Sequence, residues 1–95
     1  MKIIESKIEK LEDPFGILTG ERYEIILTLD IDEEDVLYSE NGIVLNLIFA
    51  VEGEQAKIAQ YHFIEKTTEL VLDYALLDDE IKEVTSYCRQ LVESI

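Results

Sequence analysis

Positive charge is scarce in this chain: eight Lys and Arg stand against 22 Asp and Glu, giving a formal charge of −14 over 95 residues. Such a field repels phosphate backbones and anionic headgroups at every orientation, and the thin basic excess at Lys7 and Lys10 cannot reverse it. No nucleic acid and no membrane surface is expected as a partner. Cysteine is scarcer still, and the single Cys88 excludes an internal disulfide framework. Long apolar runs are missing. The longest, Ile43 to Val51, is half of what a membrane helix requires and is interrupted by Asn46. The start of the chain passes at once from Met1-Lys-Ile-Ile to Glu5, Lys7, Glu9 and Lys10, without the apolar segment of a signal peptide. A cytoplasmic location is expected.

What the chain does have is aliphatic content. Hydrophobic residues make up 47% of it, enough to offset the ordering entropy that keeps most acidic chains disordered. At this length a single domain, 1–95, with one core is expected, burying roughly 60–65% of the unfolded surface.

Hydrophobic periodicity places the elements. A strand is predicted over about 2–10, with Ile4, Ser6 and Ile8 on one face. Asp13-Pro14-Phe15-Gly16 carries each residue type where a type I turn favours it, so the chain should reverse there. In the next strand Tyr23, Ile25, Leu27, Leu29 and Ile31 alternate with Glu24, Ile26, Thr28 and Asp30. The acidic run from Asp30 to Asp35 reads as a long loop leading to the turn signal Asn41-Gly42. Ile43 to Glu52 turns Ile43, Leu45, Leu47, Phe49 and Val51 inward, yet its other face still carries Val44, Ile48 and Ala50. Glu52-Gly53-Glu54-Gln55 then reverses into a strand over about 57–66, with Ala59, Tyr61 and Phe63 on one side and Ile58, His62 and Ile64 on the other.

A fifth strand is predicted over 67–76 from the alternation of Leu70, Leu72, Tyr74 and Leu76, with helix as the alternative. The last segment is helical in period: Ile81, Val84, Cys88, Leu91, Val92 and Ile95 form one stripe, with Asp78 as the expected N-cap. The expected fold class is α+β: an antiparallel sheet of about five strands in meander order with one C-terminal amphipathic helix packed on one face.

The segments Leu11-Glu-Asp-Pro-Phe-Gly-Ile-Leu-Thr-Gly-Glu-Arg-Tyr-Glu24, Leu37-Tyr-Ser-Glu-Asn-Gly42 and Phe63-Ile-Glu-Lys66 carry a resemblance over most of the chain. The chain resembles a family of small uncharacterised cytosolic proteins of bacilli and related Gram-positive bacteria. Its members are assigned only to a domain of unknown function, and some carry an automatic pullulanase label. The resemblance implies a bacterial cytosolic protein and supplies no catalytic residue. The pullulanase label fails on size, because such glycosidases resemble (β/α)₈ barrels of about 250 residues with two carboxyl groups flanking a cleft.

No constellation in the sequence amounts to a reaction centre. The Asp30 to Asp35 run has carboxylates suited to Ca²⁺ or Mg²⁺ but not the glycine and glutamate spacing of an EF-hand loop, so no metal site is expected. His62 and Cys88 are the only residues of their kinds, and the helical phase of Cys88 puts the thiol on the buried stripe; no catalytic residue is assigned. Gly16 to Gly20 with Arg22 lacks the lysine and spacing of a phosphate-binding loop, and no cofactor is expected. The best reading is a non-enzymatic acidic module that binds a protein partner, with nucleic-acid mimicry toward a basic protein as a special case. The alternative is a small ligand-binding or enzymatic domain with a pocket between sheet and helix. One helix covers one sheet face, so Ile26, Val44 and Ile48 on the other are expected to form an interface, most economically in a homodimer.

Overall fold

A computed structural model describes residues 2–12, 20–35 and 38–95. Five strands, β1 (Lys2–Leu11), β2 (Glu21–Asp30), β3 (Ile43–Glu52), β4 (Gln55–Glu65) and β5 (Val71–Leu72), form one antiparallel sheet in the order β1-β2-β3-β4-β5. Helix α1 (Asp78–Glu93) follows, so the fold is α+β with a meander sheet. The predicted turn at Asp13 to Gly16 lies outside the described residues.

The centre of the sheet follows the sequence pattern. Tyr23, Ile25, Leu27, Leu29 and Ile31 are buried on β2 and just beyond it, as are Ile43, Leu45, Leu47 and Phe49 on β3. These two strands face each other pair by pair, Ile25 with Leu47 and Leu27 with Leu45, and fully burying each such side chain contributes about 1.5–3 kcal/mol. The outer strands depart from simple alternation because each carries an extra residue. On β1 the pairing passes from Ile3–Leu29 to Glu5–Thr28, leaving Ile4 without a partner and 59% exposed. Ile3, Ser6 and Ile8 therefore take the inward positions, rather than Ile4, Ser6 and Ile8.

On β4 the pairing passes from Ile48–Gln60 to Phe49–Ile58, which makes Ala59 the extra residue. The irregularity turns Ile58 inward, beside Ala56, Tyr61 and Phe63, and leaves Ala59 exposed, reversing the expectation for both. Between β3 and β4 the two-residue connection has Gly53 at φ 61, the first-position glycine that suits a II′ hairpin turn. Gly20 has a different reason to be glycine: a Cβ there would come within 2.4 Å of the Val51 carbonyl oxygen.

The fifth strand is much shorter than predicted. Only Phe63–Leu72 and Ile64–Val71 pair, because Glu69 enters at φ 61 and the Tyr74 N–H donates back to the Leu72 carbonyl at 3.0 Å, turning the chain off the sheet. It then runs toward the helix, the Leu76 N–H donating to the Tyr61 hydroxyl at 2.8 Å. Leu72 is half-buried and Leu76 buried, but Leu70 and Tyr74 are exposed.

Helix α1 begins one residue earlier than expected. Leu77, not Asp78, is the N-cap, and its N–H donates to Glu80 Oε1 at 2.9 Å, which is half of a capping box. Asp78, Asp79 and Glu80 then occupy the first turn, where the positive end of the helix dipole favours them. Val84 and Cys88 are fully buried against the sheet, Leu91 and Val92 half-buried, and Ile81 and Ile95 exposed. Val84 and Cys88 thus anchor the helix to the face made by β2, β3 and β4.

Candidate functional site

The opposite face of the sheet is defined by the strand pairing. Reading across it, one row runs Glu5, Thr28, Val44, Ile64, Val71; the next Lys7, Ile26, Asn46, His62; and the next Glu9, Glu24, Ile48, Gln60. Ile26, Val44 and Ile48 therefore share this face, with Ile64 beside Val44. All four are half-buried. The described core residues of α1 lie on the other side, packed with the inward residues of β2 and β3. Ile58, which simple alternation groups with His62 and Ile64, belongs to the core side.

Charge is divided unevenly between the two sides. The outward strand positions hold four basic residues, Lys2, Lys7, Arg22 and Lys57, and five acidic ones, Glu5, Glu9, Glu24, Asp30 and Glu52. That face is close to neutral, although the chain carries −14. The acidic surplus lies elsewhere: α1 bears Asp78, Asp79, Glu80, Glu83 and Glu93 against Lys82 and Arg89, and Asp32, Glu33, Glu34 and Asp35 form an exposed run. Asp32 organises that run locally, its Oδ1 accepting from the Glu34 N–H at 3.0 Å and its carbonyl from the Asp35 N–H at 2.9 Å. Among the described residues no group of three or more His, Cys, Asp or Glu is placed to hold a metal ion.

The reactive residue types are kept apart. His62 is exposed on the outward face, paired with Asn46, while Cys88 is buried beneath the helix on the other side of the sheet. The two cannot form a nucleophile and base. Of the segment from Gly16 to Arg22, residues 16–19 lie outside the described ones.

A cleft of about 420 Å³ opens where the β3–β4 hairpin meets the C-terminal half of α1. Its floor is Phe49, Val51, Ala56 and Val92, and Glu54, Arg89 and Glu93 stand around it. The Arg89 guanidinium donates to the Glu54 backbone carbonyl at 2.5 Å, so the basic group is committed to holding hairpin and helix together. A pocket between sheet and helix is the alternative the sequence suggests, but periodicity does not name this lining, because it depends on how far the helix reaches across the hairpin.

One polar cluster is well satisfied. The Glu65 carboxylate accepts from Thr68 Oγ1 at 2.6 Å, Ser39 Oγ at 2.7 Å and Asn41 Nδ2 at 3.2 Å, tying the loop before β3 to the turn after β4. These hydrogen bonds, that from Thr68 first, hold its carboxyl below the ordinary carboxylate value. A depressed folded-state value stabilises the fold above the unfolded value of about 4.3, and the contribution is lost as pH falls through the folded one. Glu65→Ala should therefore flatten the acid limb of the melting temperature measured between about pH 5 and 3. An acid limb identical to that of the wild type would show that the cluster contributes nothing to folding.

The chain belongs to a family of unknown function (DUF6509), whose model matches residues 1–95. No curated protein and no solved structure matches it.

Proposed function

Since membership in that family brings no activity with it, we propose from the surface itself that this is a non-enzymatic, acidic protein-interaction module of the bacterial cytosol. The observation that supports this reading most is the uneven division of charge. Helix and loops expose clustered carboxylates suited to a basic protein partner, whereas the sheet face opposite α1 is nearly neutral and carries Ile26, Val44 and Ile48 for apolar contact, including self-association. Complementary charge of this kind speeds encounter and rejects wrong partners more than it adds affinity. Binding to the acidic side should then be strongly salt-dependent.

The test compares immobilised wild-type protein with the variant Asp78→Lys, Asp79→Lys, Glu83→Lys. The wild type should retain a basic cytosolic protein in stoichiometric amount and release it at about 0.3 M NaCl, where the screening length falls to roughly 5–6 Å. The variant should retain none. Equal retention by both would remove the acidic helix from the binding surface.

The cleft beside Phe49 supports a second reading, a small-ligand site between sheet and helix. Its volume lies in the range of known ligand pockets and its floor is apolar. A thermal-shift panel separates the two readings: a shift by one ligand class, abolished by Val92→Arg, would favour the pocket.

A further inference from the structure

We infer that the occupant of the sheet face opposite α1 is a second copy of this chain, docked sheet to sheet about a two-fold axis, with both acidic helices pointing outward. The inference rests on the reading of this face as an interaction surface and names its partner. It begins from charge. A basic protein would be drawn to the helix and the Asp32 to Asp35 loop, where carboxylates cluster, and not to a face whose strands carry four positive and five negative residues. A second copy has the reverse requirement. Two chains of −14 can approach closely only through the surface that contributes least to that charge, and this is the outward sheet face.

The pattern within the face is self-complementary along its β1 edge. Its centre is uncharged, with Ile26, Thr28, Val44, Asn46, Ile48, Ala50 and Ile64 contiguous across β2, β3 and β4. On β1 the outward charges alternate as Lys2, Glu5, Lys7, Glu9. An antiparallel second copy of that strand sets Lys2 opposite Glu9 and Glu5 opposite Lys7, while the same axis sets Glu24 opposite Asp30 on β2, so the charge pairing is favourable along β1 and the uncharged centre carries the contact.

Size is also adequate. Strands β1 to β4 are ten or eleven residues long. At about 4.8 Å between strands and about 3.4 Å per residue the face spans on the order of 600 Å² in projection, before side-chain relief is added. A standard interface uses about 800 Å² of accessible surface per partner. Two such faces stack about 10 Å apart at about 30°, as in a β-sandwich, giving a helix–sheet–sheet–helix assembly.

Sedimentation equilibrium at micromolar concentration and moderate salt tests the proposal. The wild type should have twice the mass of the 11.0 kDa chain. Ile48→Glu should become monomeric with its circular dichroism unchanged, the dimer dissociation constant rising by at least about 30-fold. Asn46→Lys is the second variant, replacing one half-buried polar residue with a charge at the centre of the face. It lowers the net negative charge and so weakens the general repulsion that opposes association, and loss of the dimer can come only from the face itself. Should Ile48→Glu unfold, Asn46→Lys alone decides. A monomeric wild type, an assembly larger than a dimer, or a dimer that survives in either folded variant overturns the proposal. Retention of the basic partner by monomeric Asn46→Lys would show that the acidic side acts independently, so failure of the dimer and failure of the module reading give different results.

Discussion

Phe49→Ala should destabilise the domain by about 3–5 kcal/mol and lower its melting temperature by on the order of 15–30 °C, whereas Ile4→Ala should change stability by less than about 0.5 kcal/mol. Phe49 is fully buried on the central strand, pairs with Tyr23 on one side and Ile58 on the other, and floors the cleft beneath the hairpin. Its removal leaves a cavity that strands held on both sides cannot collapse to fill. Against a total stability of about 5–15 kcal/mol for a domain, that loss takes the protein near its folding threshold. Ile4 is as hydrophobic in sequence as any core residue, but the β1 irregularity leaves it 59% exposed. Thermal denaturation of the two variants side by side checks the pair, and a large cost at Ile4 would mean that β1 pairs in the unbroken alternation.

Cys88 should be nearly inert in the folded protein, its reaction with a disulfide reagent at pH 8 slowed by about 10³-fold or more relative to the chain in denaturant. Burial alone raises its thiol from 9.0 to about 12, since no positive group compensates the desolvated thiolate. The thiolate is the reacting species, so a rise of that size removes about three powers of ten from its population. The same shift gives the fold a pH dependence. A thiol whose folded value lies above its unfolded one stabilises fully below the unfolded value and loses that contribution as pH rises toward the folded value, here between about pH 9 and 12. Cys88→Ala should flatten this alkaline slope, whatever its cost in packing. Rapid modification of the native protein at pH 8 would place the thiol at the surface and detach α1 from the core.

Much of this architecture is legible in the sequence because β2 and β3 are central. A strand paired on both sides has no freedom to slip, so its period-two pattern fixes which side chains face inward, and Tyr23 to Ile31 and Ile43 to Phe49 fall where alternation puts them. The same holds for the placement of Ile26, Val44 and Ile48 on one outward face. Strands nearer the edge are constrained on fewer sides and admit extra residues, which is why β1 and β4 invert Ile4, Ile58 and Ala59 relative to a simple alternation. The short β5 has the same origin: a regular apolar alternation from Leu70 to Leu76 cannot hold a strand once the chain must leave the sheet to reach the helix.

The sequence by itself determined the fold class, the order of its elements, the helical stripe that buries Val84 and Cys88, and the acidity of the surface, because these follow from local period and composition. Tertiary structure alone decided the rest. It set the inward residues of β1 and β4, the cleft over Phe49, the cluster around Glu65, and the separation of a nearly neutral sheet face from the acidic helix on the other side. Each of these depends on which distant segments meet, and a net charge of −14 states how much charge there is without stating on which face it stands.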